Sequence, residues 1–144
     1  MEAKMLAPAA VLVLWSLLMM LWMMQARFAA FAKHKIDLST APPGSRGNSL
    51  EGVLPDAVNW KAHNYSHLME QPTIFYPAVV ILAIMGAKPI DVALAWAYVA
   101  LRIVHSVWQA SVNRIPVRAS LFFASSAFLI ALAVRAVIVT LTAA

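Results

Sequence analysis

The chain of 144 residues contains no cysteine, only four glycines, and few charged side chains, which make up 12% of the total. The absence of cysteine excludes disulfide bonds, cysteine-ligated metals and a cysteine nucleophile. Soluble domains contain about 25% charged residues and about 45–50% apolar ones. Hydrophobic residues make up 62% of this chain and its mean hydropathy is +0.77, so its composition is not that of an ordinary soluble domain.

Four apolar runs are long enough to cross a bilayer, which takes roughly 20 mainly apolar residues. They are Leu6 to Ala32, Leu68 to Ala87, Pro89 to Ala110 and Val117 to Ala143. The first run is much longer than the roughly 7–15 apolar residues of a signal peptide, so we predict a retained span. The pattern predicts one all-α domain over 1–144, an integral membrane four-helix bundle. Its predicted helices cover about 6–32, 62–87, 89–112 and 117–143, with a loop over 33–58.

Basic residues are concentrated in two of the three connections between these spans. The connection after the first span and the connection after the third hold six, against Lys88 alone after the second: Lys33, Lys35, Arg46, Lys61, Arg114 and Arg118. Because short loops rich in Lys and Arg face the cytoplasm, we predict that 33–61 and 113–116 are cytoplasmic. Both termini then lie on the opposite side. This asymmetry accounts for the net charge of +5 without a nucleic-acid partner.

Three polar residues interrupt the third apolar run. Arg102, His105 and Gln109 are spaced i, i+3 and i+7, so they share one face of a helix. Ionisable groups inside a membrane span are costly, and they usually face a protein interior or a wet cavity. We therefore interpret this face as part of a functional site.

The other three spans contribute polar residues at a similar depth. Arg27 ends the first span, Glu70 lies near the start of the second and Arg118 begins the fourth. The excess of arginine predicts an anionic ligand, because guanidinium pairs bidentately with carboxylate. A structural ion pair between Glu70 and Arg102 is the alternative for those two residues. We interpret Arg135 as structural, since it lies near enough to the end of the fourth span to snorkel.

A metal site is a further alternative in the second span. His63, His67 and Glu70 would align on one helical face and could in principle hold zinc. Polar histidines at the start of a membrane helix are more often hydrogen-bonded residues of the interface, and we predict no metal.

The segment that carries Arg102-x2-His105 and then Arg114-Ile115-Pro116-Val117-Arg118 resembles the MAPEG family, the membrane-associated proteins of eicosanoid and glutathione metabolism. The ending Gln25-Ala26-Arg27 of the first span is similar to the family's basic residue at that place. The polar entry to the second span resembles its glutathione-binding segment. The resemblance covers nearly the whole chain and is strongest over 102–118. We expect a bacterial-type member in the inner membrane.

The resemblance implies a homotrimer that binds glutathione, its co-substrate, between subunits near the cytoplasmic face. Glu70 would meet the γ-glutamyl ammonium and His105 would frame the peptide, while Arg102 and Arg118 would be catalytic by stabilising the thiolate. The thiolate would attack a hydrophobic electrophile or reduce a lipid peroxide. The expected glutathione-binding residues are Arg27, His63, Asn64, His67, Glu70, Arg102, His105, Gln109, Arg114 and Arg118.

The chain departs from the family's pattern at several positions. In one register His63 and His67 stand where the family has Arg and Asn; in the other, Lys61-Ala62-His63 matches and Glu70 is displaced. Gln109 stands where active members often have tyrosine. Ala119 and Phe122 stand where prostaglandin E synthase has serine and tyrosine, so that activity is not expected. The alternative is a non-catalytic member that binds a lipid or a partner. A small multidrug exporter is disfavoured, because the first span holds no embedded acidic residue.

Overall fold

The computed structural model describes residues 1–143, and every regular element in that range is helical. Five α-helices follow one another along the chain: α1 over Glu2–His34, α2 over Asp56–Leu68, α3 over Pro72–Ile84, α4 over Pro89–Ser111 and α5 over Ile115–Thr142. Helices α2 and α3 together form one span, so four helical segments are long and apolar enough to cross a membrane. The predicted all-α membrane architecture is confirmed.

The second span begins at Asp56, before the predicted start at Ala62, and the loop that precedes it is correspondingly shorter. Polar residues at this start resemble a loop in composition. The fold makes them helical because Asn59 is buried and its side-chain Nδ2 donates to the carbonyls of Leu50 and Leu54 at 3.2 and 3.3 Å. These bonds tie the end of the loop to α2. Two short 3-10 helices lie in the loop, over Leu38–Thr40 and Gly47–Leu50.

The second span is interrupted between Leu68 and Pro72. Pro72 is the first residue of α3, and proline has no N–H to continue the helical hydrogen-bond ladder. A second proline, Pro77, lies inside α3 and does not interrupt it. The interruption puts Glu70 in a turn, where Thr73 donates its hydroxyl to the Glu70 carbonyl at 2.6 Å. The next residue, Gln71, donates from its side-chain Nε2 to the Ser126 hydroxyl on α5 at 2.7 Å.

The core runs between the four spans and is built from large apolar side chains. Phe75 on α3 stacks on Tyr98 on α4 with their ring centroids 4.5 Å apart, and both residues are fully buried. Outward-facing side chains are also large and apolar. Among them, Phe123 is 69% exposed and Leu14 is 59% exposed, as suits helices that lipid or further protein must cover.

An ion pair lies at the end of the bundle that holds the α3–α4 turn. Arg135 on α5 donates from Nη2 to Oδ2 of buried Asp91 on α4 at 3.0 Å, and its Nε also contacts that carboxylate. The same carboxylate accepts the backbone N–H of Lys88 at 2.8 Å. Arg135 was interpreted as structural, and the ion pair agrees with that interpretation. Its partly exposed side chain is held by a buried carboxylate on the neighbouring helix, whereas the sequence suggests that it snorkels to the membrane surface.

Candidate functional site

The polar face of α2 forms one wall of a cleft at the other end of the bundle. His63, Ser66 and His67 are spaced i, i+3 and i+4 on one side of α2, and Glu70 in the turn that follows lines the same cleft. Gln109 on α4 and Arg118 on α5 complete the lining, and the cleft has a volume of about 410 Å³. We call this the polar cleft.

A second cleft, of about 230 Å³, adjoins the first and is lined mainly by apolar side chains from α5. Its lining residues are His67, His105, Ile115, Arg118, Ala119, Phe122 and Phe123. The ring of His67 lies 5.5 Å from the ring of Phe122 and 5.0 Å from that of His105, measured between centroids. We call this the apolar cleft. His67 and Arg118 line both clefts, so the polar and apolar spaces meet at these two side chains.

Arg102 lies behind the two clefts and is fully buried. Its Nη2 donates to the backbone carbonyl of His67 at 3.2 Å, and its Cζ lies 5.9 Å from the centre of the Phe122 ring. Its Nε and Nη1 have no hydrogen-bond partner within residues 1–143. A guanidinium buried with incomplete hydrogen bonding is energetically costly. Arg102 is therefore a source of positive charge next to the clefts.

The proposed ion pair between Glu70 and Arg102 does not form within residues 1–143. Glu70 instead binds the side chain of His67, with Oε2 and Nδ1 2.9 Å apart. The turn before Pro72 explains this, since it holds Glu70 at the surface, where its side chain is 66% exposed. The structural alternative for these two residues is wrong.

Arg118 is half-buried at the start of α5, and the short link between α4 and α5 fixes its position. Its Nη1 donates to Oδ1 of Asn113 at 2.7 Å. Asn113 has a φ of 54°, a left-handed conformation that Asn tolerates better than most residues. The conformation of this link therefore positions the arginine that both clefts share.

Arg27 lies in a neighbouring cleft of about 510 Å³, bounded by α1, α2 and the loop that joins them. Its Nη2 donates to the carbonyl of Gly47 at 3.1 Å, and a Cβ added at Gly47 would lie 2.9 Å from Nη1. His63 also lines this cleft, and its Nε2 lies 2.5 Å from Oε1 of Glu51. Arg27 is thus held by the loop, and the cleft that it lines shares His63 and Ser66 with the polar cleft.

Two further predicted ligands lie away from both clefts. Asn64 is 1% exposed, points into the helix packing, and its side-chain oxygen and nitrogen have no partner within residues 1–143. Arg114 is exposed, and its carbonyl accepts the indole N–H of Trp108 at 3.2 Å. Of the two registers considered for the second span, the geometry brings His63, His67 and Glu70 together.

The sequence analysis missed Ser66, Asn113 and Phe123. Ser66 has the same helical spacing as His63, His67 and Glu70, which is a signal that could have identified it. Asn113 and Phe123 have no such signal, because their contribution depends on the link conformation and on the facing of α5. Within residues 1–143, no group of three histidine or acidic side chains is arranged to hold a metal ion.

The fold and the two clefts define an integral membrane protein with four helical spans and an amphipathic site at one end. The chain belongs to the MAPEG family, whose model matches residues 5–138. The resemblance drawn from residues 102 to 118 is thereby confirmed and extends over all four spans. Comparison with curated proteins and with solved structures gives no match.

Proposed function

We propose that the protein is a glutathione-dependent membrane transferase or peroxidase that acts on hydrophobic electrophiles or lipid peroxides. The observation that carries this proposal is the contact between a polar and an apolar cleft at His67 and Arg118. A reaction between a water-soluble thiol and a membrane-dissolved substrate needs two such spaces to meet at the reacting sulfur.

The charges in the polar cleft suit glutathione, which carries two carboxylates and one ammonium. Glu70 can accept the ammonium, and Arg118 can donate to a carboxylate. Gln109 lines the same cleft, where its side-chain amide would be a further polar contact for the peptide. A volume of about 410 Å³ lies within the range of small-molecule sites, which is roughly 300–1,000 Å³.

Arg118 and Arg102 supply the positive field that the thiol chemistry needs. A free thiol has a pKa near 8.5, and an adjacent cation lowers this value because it stabilises the thiolate. Arg118 lies where the clefts meet, and the unpaired Nε and Nη1 atoms of Arg102 leave its charge uncompensated. The phenylalanines of the apolar cleft, Phe122 and Phe123, would hold the electrophile on the other side of the sulfur.

The functional unit that we propose is a homotrimer, as the family resemblance implies. Large apolar side chains are exposed along α1 and α5, and neighbouring copies would cover part of this surface. Arg27 would join the binding site through the cleft that it shares with His63. We further propose that the loop side faces the cytoplasm of a bacterial inner membrane, following the basic residues of the connections. Native mass measurement of the detergent-solubilised protein tests the assembly.

A second candidate is a non-catalytic member that binds a lipid or a partner in the apolar cleft. Gln109, Ala119 and Phe122 provide no hydroxyl to activate a thiol at the positions where active members have one. Arg118 also uses one of its N–H donors in the hydrogen bond to Asn113. This candidate predicts a bound lipid and no thiolate.

The deciding experiment is an ultraviolet difference spectrum of the purified protein on adding glutathione near neutral pH, with a thermal-shift titration in parallel. We expect a thiolate signal and a raised unfolding temperature, both lost in Arg118→Ala. Lys33→Ala removes an exposed cation at the end of α1 and serves as the matched control. Absence of any glutathione binding by the wild type would refute the transferase. Binding without thiolate would favour the non-catalytic candidate.

A further inference from the structure

We propose that His67, held by Glu70, is the general base that removes the proton from the glutathione thiol. The inference rests on the proposed function and names the group that performs its first chemical step. Gln109, Ala119 and Phe122 bring no hydroxyl to the site, so another side chain must take the proton of the thiol.

The contact between His67 and Glu70 fixes which ring nitrogen can act. Oε2 of Glu70 lies 2.9 Å from Nδ1 of His67. A carboxylate only accepts hydrogen bonds, so Nδ1 carries the proton in a neutral ring and Nε2 has a free lone pair. Nε2 has no partner within residues 1–143 and is not enclosed by protein, which leaves it open to the clefts. A histidine oriented by a carboxylate in this way is a common arrangement for a general base.

The position of His67 agrees with this role. The sulfur of a bound glutathione must lie where the polar and apolar clefts meet, because the peptide occupies one and the electrophile the other. Within residues 1–143, only His67 and Arg118 line both clefts, and arginine does not act as a base at neutral pH. Of the side chains at the junction, His67 is therefore the one that can take a proton.

The other two histidines near the site are less suited. His63 uses Nε2 for its contact with Glu51. His105 is 2% exposed and has no carboxylate within salt-bridge distance among residues 1–143. The charged groups that face His67 are Glu70 from the turn after α2, Arg102 from α4 and Arg118 from α5. The two arginines would stabilise the thiolate once it forms.

The step is a proton transfer followed by substitution. The S–H bond breaks, its proton moves to Nε2 of His67 and its electron pair stays on sulfur. With an aryl halide, a bond forms between sulfur and the ring carbon, and halide leaves with the electrons of the carbon–halogen bond. The imidazolium then loses its proton to water, which restores the neutral base. Glutathione and the aryl halide are thus converted to thioether, halide and a proton.

The test compares His67→Asn with wild type in the full-length protein, measuring the pH dependence of kcat/KM and the affinity for glutathione. General-base catalysis contributes typically about 10²–10⁴-fold, so we expect turnover near pH 7 to fall by about 100-fold or more. Glutathione affinity should change little, because asparagine keeps a polar side chain of similar size. Because the base that His67 supplies is then missing, the rise of the rate should move to higher pH, toward the range in which the thiol itself titrates, near 8.5. Free imidazole should partly rescue the rate of His67→Ala.

His34→Asn, at the exposed end of α1, is the matched control and should resemble wild type. An unchanged rate and pH profile in His67→Asn would overturn the proposal while leaving the transferase intact. The same holds if His105→Asn, and not His67→Asn, shifts the profile. Absence of glutathione binding by the wild-type protein would instead refute the proposed function itself.

Discussion

An arginine lies at each end of the bundle, and the two arginines differ in how completely their hydrogen bonds are formed. At the end with the α3–α4 turn, Arg135 meets the carboxylate of Asp91 through two nitrogens. At the end with the clefts, Arg102 is fully buried, makes one hydrogen bond to a backbone carbonyl and leaves Nε and Nη1 unpartnered. The first arginine is satisfied by the fold, and the second is not.

Under the proposed function, this difference separates a structural charge from one that remains available to a ligand. An ion pair between two helices fixes their register and leaves no capacity for a ligand. An arginine that the fold leaves incompletely satisfied retains its capacity for an anion, at a cost in stability. The other buried polar atoms that lack a partner within residues 1–143 also lie toward the cleft end, on Arg27, Asn59, Asn64 and Gln109.

The largest effect should come from removing Arg102, the arginine that the fold leaves incompletely paired. We expect Arg102→Ala to lower glutathione-dependent turnover of an aryl halide by about 100-fold, the loss typical of removing one donor that stabilises developing negative charge. The matched change at the other end is Asp91→Asn combined with Arg135→Leu. This double variant removes both charges of the ion pair and should keep turnover near the wild-type rate. Steady-state kinetics in detergent measure both. Equal losses in the two variants would remove the distinction drawn here.

The next effect concerns stability at the structural end. Asp91→Ala leaves Arg135 without its partner and the Lys88 N–H without its acceptor, so we expect the free energy of unfolding to fall by about 2 kcal/mol. Part of the Arg135 side chain is exposed, which keeps the loss below that of a fully buried pair. Thermal unfolding in detergent measures it. A double-mutant cycle with Arg135→Leu should show positive coupling, and additive losses would contradict the ion-pair interpretation.

A smaller effect of opposite sign is expected for stability at the cleft end. Arg102→Met replaces a guanidinium lacking a carboxylate partner with an apolar side chain of similar length. We expect the free energy of unfolding to stay unchanged or to rise by about 1 kcal/mol, because the desolvation cost of the charge disappears. Glutathione affinity should fall at the same time. A strongly destabilised Arg102→Met would mean that this arginine is structural like Arg135.

The smallest effect lies in the loop next to the cleft end. Hydrogen bonding by the Ser39 side chain, together with the Ser39 N–H that the Asp37 carboxylate accepts at 2.9 Å, holds the pKa of Asp37 below its ordinary value. Because the folded-state pKa is lowered, the stabilisation is present above the unfolded-state pKa and is lost as pH falls through the folded-state pKa. NMR titration of the Asp37 carboxyl should show this lowered value, and Asp37→Asn should abolish the titration. A pKa of Asp37 at or above its ordinary value would show that its hydrogen bonding with Ser39 does not form in solution.

Much of the fold was predictable because membrane spans follow from apolar length alone. The runs from Pro89 to Ala110 and from Val117 to Ala143 predicted α4 and α5 within a few residues of their structural bounds. The start of the second span was missed because its polar residues become helical through contacts such as that of Asn59 with the loop. Composition carries no record of such contacts.

The candidate site was predictable in its residue types but not in its partners. Spacing on α4 brought Arg102, His105 and Gln109 together, as the structure does. The pairing of Glu70 with His67, and not with Arg102, depended on the turn before Pro72. Similarly, the engagement of Arg27 by Gly47 depended on the path of the loop. Each partner is chosen by backbone geometry between elements, which helical periodicity does not describe.

The sequence by itself determined that the chain spans a membrane four times and which ionisable residues lie within or beside the spans, because hydrophobic length and helical spacing are local properties. Only the tertiary structure decided which of those charges are neutralised. It paired Arg135 with Asp91, left Arg102 incompletely satisfied and placed His67 where a polar and an apolar cleft meet. The physical reason is that the energy of a charge depends on the groups within a few ångströms of it. Those groups are set by how helices far apart in the sequence pack together.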